Sequence, residues 1–118
     1  TLVSVGVSVH RALEAANTLA DEDGIEAEVI DLRTIAPLDT KTVIDSVAKT
    51  GRLVVIDEDY EKFGLSGELA AIVLEAGLSA RYARVCTRKT IPYSREEEYL
   101  VLPNKQRIIQ ATRELALR

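Results

Sequence analysis

Leu53-Val54-Val55-Ile56 is the stretch of sequence that decides the fold. It is a run of four apolar residues, three of them β-branched, and such a run predicts a strand that is buried on both faces. Polar residues bound the run, with Arg52 before it and Asp57-Glu58 after it. Because parallel sheets are covered by helices on both faces, this strand predicts an α/β domain.

Strand and helix patterns alternate outward from this run. Period-2 and β-branched patterns predict further strands at residues 2–7, 27–31 and 82–87. Apolar residues at helical spacing predict helices at about residues 8–23, 40–50, 65–76 and 104–117. Ser8 and Asp39 are predicted to cap the first two helices, and Gly24 and Gly51 to end them.

The resulting element order is β-α-β-α-β-α-β-loop-α, which predicts a mainly parallel sheet with helices on both faces. Residues 57–64 are predicted to form a polar loop, and residues 88–103 a long and mostly irregular segment. The 118 residues fit a single domain that spans the whole chain, residues 1–118. The chain contains no Met and starts inside a strand pattern, so we expect it to be a fragment of a longer protein.

Composition narrows the classes of function. Hydrophobic residues make up 47% and charged residues 29%, with a net charge of −4, so we expect neither nucleic-acid nor membrane binding. An acidic domain is better suited to a basic protein partner. No apolar run approaches the length of a membrane span, and a single cysteine excludes an intrachain disulfide and suits a reducing cytosol.

The acidic segment Asp57–Glu61 follows the central strand, where open α/β sheets place ligands. Asp57, Asp59, Glu61 and Glu68 fall at calcium-loop spacing, but Lys62 occupies the position that needs glycine. A phosphorylatable Asp57 would need an acidic pair after the first strand, and Val7-Ser8 stands there instead. We therefore expect a solvated loop.

Gly64, Ser66 and Gly67 form a possible anion-binding or ligand-binding turn at a helix start, where backbone N–H groups point outward. The carboxylates just upstream would repel an anion, and no dinucleotide or Walker pattern is present. The alternative is a tight turn without a ligand.

Two single residues, His10 and Cys86, have side chains that can act in catalysis. His10, the only histidine, lies near a predicted helix start and is interpreted as facing either a substrate or an interface; a neutral imidazole there can polarise a carbonyl. Cys86 lies in an apolar strand and is interpreted as a buried structural thiol. The sequence predicts no catalytic, cofactor-binding or metal-binding residue in this chain.

Charged residues cluster at two further places. A basic patch contains Arg81, Arg84, Arg88 and Lys89. These charges either protect an edge strand from aggregation, or form ion pairs at an interface, or bind an anion. The acidic run Glu96, Glu97 and Glu98 is either solvated or a docking surface for a basic partner.

Several segments together resemble one known family. Residues 6–16, Gly-Val-Ser-Val-His-Arg-Ala-Leu-Glu-Ala-Ala, are similar to the first strand-to-helix junction of the transketolase C-terminal domain, in the form found in 2-oxo acid dehydrogenase β subunits. Residues 28–39, Glu-Val-Ile-Asp-Leu-Arg-Thr-Ile-Ala-Pro-Leu-Asp, resemble its signature segment. Ile91-Pro92-Tyr93-Ser94, Glu98 and Leu102-Pro103-Asn104 match its tail. The turn Phe63-Gly64-Leu65-Ser66-Gly67 departs from the commoner Gly-Gly-Phe-Gly-Ala, which leaves acetoin, pyruvate and branched-chain enzymes open.

The resemblance implies a three-layer α/β/α sandwich whose sheet has about five strands, one of them antiparallel. It implies a parent enzyme that decarboxylates a 2-oxo acid on thiamine diphosphate with magnesium and acylates a lipoyl group. Other domains hold that cofactor, so the isolated domain is expected to be inactive. The implied partners are an α subunit, a second β subunit and the peripheral subunit-binding domain of the lipoyl acyltransferase.

The implied location is the cytoplasm of a bacterium or archaeon, or the mitochondrial matrix of a eukaryote. Two alternatives remain open at this point. One is a regulatory module of the same fold that binds a small molecule or anion at the Gly64–Gly67 turn. The other is the C-terminal domain of transketolase itself or of an oxo acid:ferredoxin oxidoreductase.

Overall fold

The computed structural model describes residues 1–117, in which four parallel strands form one sheet between two layers of helices. The strands are β1 (Leu2–Ser4), β2 (Val29–Asp31), β3 (Arg52–Tyr60) and β4 (Arg81–Thr87). The helices are α1 (Ser8–Asp23), α2 (Thr40–Thr50), α3 (Leu65–Glu75), α4 (Arg95–Val101) and α5 (Lys105–Leu117). The strand order is β2-β1-β3-β4, so β3 lies inside the sheet.

Strand β3 separates two hydrophobic clusters. Val54 and Ile56 face a cluster built with α1 and α5, whereas Leu53 and Val55 face one built with α2 and α3. All four side chains are at most 2% exposed. The predicted two-sided burial of this strand is therefore confirmed, and with it the three-layer α/β/α architecture.

The number of strands differs from the expectation of about five with one antiparallel. Residues 1–117 contain four strands, and every pair is parallel. Residues 88–103, which we expected to be mostly irregular, contain α4. Glu96, Glu97 and Glu98 fill the first turn of α4, where negative charge interacts favourably with the partial positive charge of the helix start.

The prediction that Ser8 caps α1 is wrong. The helix begins at Ser8 itself, and the backbone carbonyls of Gly6 and Val7 accept hydrogen bonds from Val9 N and His10 N at 3.2 Å. Those N–H groups need no side-chain cap, because a tight turn at Gly6 supplies their acceptors. Asp39 does cap α2 as predicted, since its carboxylate accepts a hydrogen bond from Thr42 N at 3.1 Å.

The first half of the segment predicted as a polar loop, residues 57–60, belongs to β3, which runs on to Tyr60. Pairing with β4 is irregular between Ile56 and Tyr60 and resumes where Tyr60 lies opposite Thr87. The Thr87 hydroxyl donates to the Glu58 carbonyl at 2.6 Å, and Glu61 N donates to the Thr87 carbonyl at 2.9 Å. These hydrogen bonds hold the acidic segment in an extended conformation, although its composition alone predicts a turn.

None of the helices among the described residues is long and apolar enough to cross a membrane.

Gly64 and Gly67 form a matched pair for a stability test. A Cβ on Gly64 would lie 2.2 Å from the carbonyl oxygen of Tyr60, whereas a Cβ on Gly67 would meet nothing within 4 Å. We expect Gly64→Ala to lower the free energy of unfolding by about 1–3 kcal/mol because the backbone must shift. Gly67→Ala, inside α3, should leave it unchanged or raise it by up to about 1 kcal/mol. Urea denaturation measures both, and an equal effect of the two changes would contradict the structure.

Candidate functional site

The crevice at the carboxyl ends of β1 and β3 is the place where this topology would hold a ligand. The chain passes from β1 to β2 on one side and returns to β3 on the other, so the strand order reverses between β1 and β3. The Ser4 hydroxyl donates to the Ile56 carbonyl across these two strands at 2.8 Å. Beyond them stand the start of α1 and the acidic end of β3.

An arginine closes this crevice. Arg11 donates through Nη1 to the Glu58 carboxylate and to the Pro103 carbonyl, both at 2.8 Å. Arg11 therefore ties α1, β3 and the segment before α5 together at the position where related topologies open toward a ligand. Sequence reasoning placed Arg11 on a polar helix face, because its partners lie 47 and 92 residues away.

The surroundings of the Gly64–Gly67 turn are unfavourable for an anion, and its role as a ligand turn stays a prediction. Ser66 is only 1% exposed, and within residues 1–117 its hydroxyl oxygen has no hydrogen-bond partner. The Asp59 carboxylate lies 3.5 Å from the position that a Cβ of Gly64 would take. A buried hydroxyl and a nearby carboxylate leave backbone N–H groups as the only donors toward solvent.

His10 lies in the first turn of α1 and is exposed. It belongs to neither hydrophobic cluster, so its side chain is available to a neighbouring surface. Its assignment to a substrate or an interface stays a prediction.

Asp57 and Cys86 lie near each other below this edge of the sheet. Burial raises the pKa of Asp57, and the charges of Asp59 and Glu58 raise it further. Burial likewise raises the pKa of the Cys86 thiol, while the neighbouring Ser66 hydroxyl, which lies close without hydrogen-bond geometry, partly offsets the rise. Cys86 is 1% exposed, which favours the structural interpretation of this thiol over a nucleophile.

The acidic run lies on a helix rather than in a loop. Glu96, Glu97 and Glu98 are all exposed on the first turn of α4. Exposed apolar groups follow directly, because Tyr99 is 51% and Leu100 is 70% exposed. Sequence reasoning did not single out Tyr99 and Leu100, since without the helix their shared surface with the glutamates is not apparent.

Helix α4 is held in place from its far end. The Asn104 amide donates to the Tyr99 carbonyl at 2.9 Å, and Arg107 Nη1 donates to the Val101 carbonyl at 2.7 Å. These hydrogen bonds, together with the buried side chain of Val101, fix the end of α4 against the start of α5.

The basic patch separates into different environments. Arg84 and Arg88 both contact Glu61, at 3.7 and 2.7 Å, whereas Arg81 is exposed at the start of β4. Strand β4 is an edge strand, as the interpretation of this patch required. Arg107 approaches the same region and donates through Nη2 to the Cys86 carbonyl at 2.8 Å.

The raised pKa of Asp57 has a consequence for stability. When the folded-state pKa lies above the unfolded value, the stabilising contribution is present below the unfolded pKa and is lost as pH rises through the folded pKa. Charged Asp57 therefore destabilises the folded chain at neutral pH. We expect Asp57→Asn to raise the melting temperature at pH 7 and the gain to shrink toward pH 4.

Melting curves at several pH values measure this effect. Asp21→Asn, a change at an exposed residue of α1, is the matched control and should show no such pH-dependent gain. A lower melting temperature of Asp57→Asn at pH 7 would show that the carboxylate stabilises the fold.

Comparison with known proteins agrees with this geometry. Residues 1–108 match the model of the family described as transketolase, C-terminal domain. A solved structure, a split-gene transketolase as an inactive β4 tetramer, superposes with a TM-score of 0.88 over 98% of this chain and 38% of that one. At 24% identity, this likeness concerns the fold.

Sequence relatives are β subunits. The chain is 45% identical over 117 residues to the β subunit of acetoin:2,6-dichlorophenolindophenol oxidoreductase from Cupriavidus necator, covering 96% of this chain and 34% of the relative. It is 42% identical to the pyruvate dehydrogenase E1 component β subunit from Rickettsia bellii, covering 98% and 36%. The corresponding subunit from Bacillus subtilis is 37% identical, with the same coverage. The chain thus spans about a third of the length of these relatives, and it belongs to the transketolase C-terminal domain family.

Proposed function

We propose that this domain is the assembly and docking domain of a thiamine diphosphate-dependent 2-oxo acid dehydrogenase β subunit. The parent enzyme would decarboxylate a 2-oxo acid and pass the acyl group to a lipoyl carrier. The relatives named above support the parent class, and the exposed surface of α4 described above supports the docking role.

The cofactor does not fit the residues of this domain. Magnesium bound to a diphosphate needs several oxygen ligands from protein or water. Among residues 1–117, no three His, Cys, Asp or Glu side chains are grouped as a metal site. We therefore propose that thiamine diphosphate and magnesium are held by other parts of the parent assembly.

The observation that carries the docking role is the surface of α4. Three exposed glutamates lie next to exposed Tyr99 and Leu100 on a helix that α5 holds in place. Aromatic groups beside complementary charge are typical of the centre and rim of protein interfaces. The partner that fits is a basic protein surface, which we assign to the peripheral subunit-binding domain of the lipoyl acyltransferase.

Contacts with an α subunit and a second β subunit would use other surfaces. Exposed apolar side chains occur elsewhere on the domain, notably Phe63 after β3 and Leu74 on α3. Phe63 holds a left-handed backbone conformation with φ of 63° and is fully exposed. A large apolar side chain in that conformation is unfavourable for an isolated domain and is better explained by burial in an assembly.

The docking role predicts a charge-dependent interaction. We expect the triple change Glu96→Gln/Glu97→Gln/Glu98→Gln to weaken binding of the subunit-binding domain about tenfold, because exposed ion pairs contribute roughly 0.2–1 kcal/mol each. Calorimetric titration at two salt concentrations measures this, and the salt dependence should fall with the affinity.

Two controls accompany this titration. Glu14→Gln/Asp21→Asn/Glu75→Gln removes the same charge from exposed positions elsewhere and should leave binding nearly unchanged. Glu96→Asp/Glu97→Asp/Glu98→Asp keeps the charge and should keep the affinity, which separates docking from the stability of α4. Unaltered binding by the glutamine triple, or micromolar binding of thiamine diphosphate by this chain, would overturn the proposal.

A further inference from the structure

A groove between β4 and α5 carries the opposite charge to the chain as a whole. Two adjoining cavities of about 290 and 230 Å³ share Arg84, Arg88, Ala111 and Glu114 in their walls. Arg107 lines the larger cavity and Glu61 the smaller one. Three guanidinium groups thus face two carboxylates in a chain whose net charge is −4.

The three arginines of the groove are not each paired with a carboxylate. Arg84 and Arg88 both contact the carboxylate of Glu61, so its charge is shared between two cations. The Glu114 carboxylate accepts a hydrogen bond from the Gln110 amide at 3.1 Å. No Asp or Glu side chain among residues 1–117 forms an ion pair with Arg107, whose terminal nitrogens donate to the carbonyls of Val101 and Cys86.

The unpaired charge of Arg107 is partly buried. Burial lowers the pKa of its guanidinium, and the nearby charge of Arg88 lowers it further. A charge withdrawn from water and repelled by a like charge is stabilised by a counter-ion. The cavity beside it is the place where such a counter-ion can enter.

The arginines also keep unused donors. Arg88 contacts Glu61 through Nε, so its two terminal nitrogens remain available, and its side chain is 67% exposed. Arg107 uses Nη1 and Nη2 for carbonyls and keeps Nε. Convergent guanidinium donors are the usual means of binding a phosphate or carboxylate group.

From these observations we propose that the Arg84–Arg88–Arg107 groove is a binding site for a small oxyanion, with a phosphate group as its favoured ligand. The site is separate from the Gly64–Gly67 turn, where Asp59 and a buried Ser66 oppose an anion. The exposed side chains of α4 do not line the groove, although Arg107 also donates to the Val101 carbonyl at the end of that helix. The variants that test the groove therefore change Arg84, Arg88 and Glu114 and leave Arg107 in place, so failure of either proposal leaves the other standing.

Inorganic phosphate is the probe, with acetate and sodium chloride at equal ionic strength for comparison. We expect phosphate to raise the melting temperature of the 118-residue chain by about 6 °C at tenfold excess over its dissociation constant. Acetate should act more weakly, because it carries one charge and two oxygens. Equal shifts with phosphate and sodium chloride would overturn the proposal.

Variants locate the site. Arg88→Gln and Arg84→Gln should each weaken phosphate binding about tenfold. Arg81→Gln, on the same strand but outside the groove, should bind as the unchanged chain does. If Arg84→Gln fails to fold, Arg88→Gln decides, because its side chain is largely exposed. Retention of the phosphate shift in Arg88→Gln would contradict the proposal.

A variant that binds phosphate more tightly gives a further test, because a loss of folding would weaken binding and not strengthen it. Glu114 lines both cavities and forms no ion pair with an arginine among residues 1–117, so its charge opposes an incoming anion. Glu114→Gln should therefore bind phosphate at least about twofold more tightly. Weaker binding by this variant would contradict the assignment of the groove.

Discussion

Two-sided burial of β3 is the constraint on which the rest of the structure depends. Its residues 53–56 alternate between two hydrophobic clusters, so the strand requires helices on both faces. It is also flanked by β1 and β4 through parallel pairing, and parallel neighbours need crossover helices. One short apolar run thereby determines the three layers, the connection type and the edge at which strands end.

The fold determines where the polar and charged side chains lie, and their locations bear on function. The strand order reverses between β1 and β3, and the crevice at their carboxyl ends is where this topology would hold a ligand. Contacts of Arg11 with the Glu58 carboxylate and the Pro103 carbonyl close that crevice. Groups that would perform chemistry there are either buried, as Ser66 and Cys86 are, or exposed and single, as His10 is. The charged surfaces lie elsewhere, with an acidic one on α4 and a basic one between β4 and α5. This separation of the charged surfaces from the crevice is the physical basis of the docking and oxyanion-binding roles that we propose.

Sequence alone predicted the parts that depend on local patterns. The four strands, four of the five helices, the cap at Asp39 and the helix ends at Gly24 and Gly51 all follow from spacing and residue type. Helix α4 was missed because its seven residues offer no complete apolar stripe and its stability comes from Asn104 and Arg107. The extension of β3 to Tyr60 was missed because hydrogen bonds from residue 87 hold it. Arg11 and Arg107 became relevant only through partners that lie close in space and far apart along the chain, a relation that a single sequence does not reveal.

The most direct test of a docking domain is a residue-by-residue map of its bound surface. Backbone amide shifts of the labelled chain can be followed by nuclear magnetic resonance while the unlabelled subunit-binding domain is added. The account predicts that the largest changes cluster on α4, from Arg95 to Val101, with little change at Ser8–His10 and at Gly64–Gly67. Changes concentrated at the β1–β3 crevice, with α4 unaffected, would contradict it.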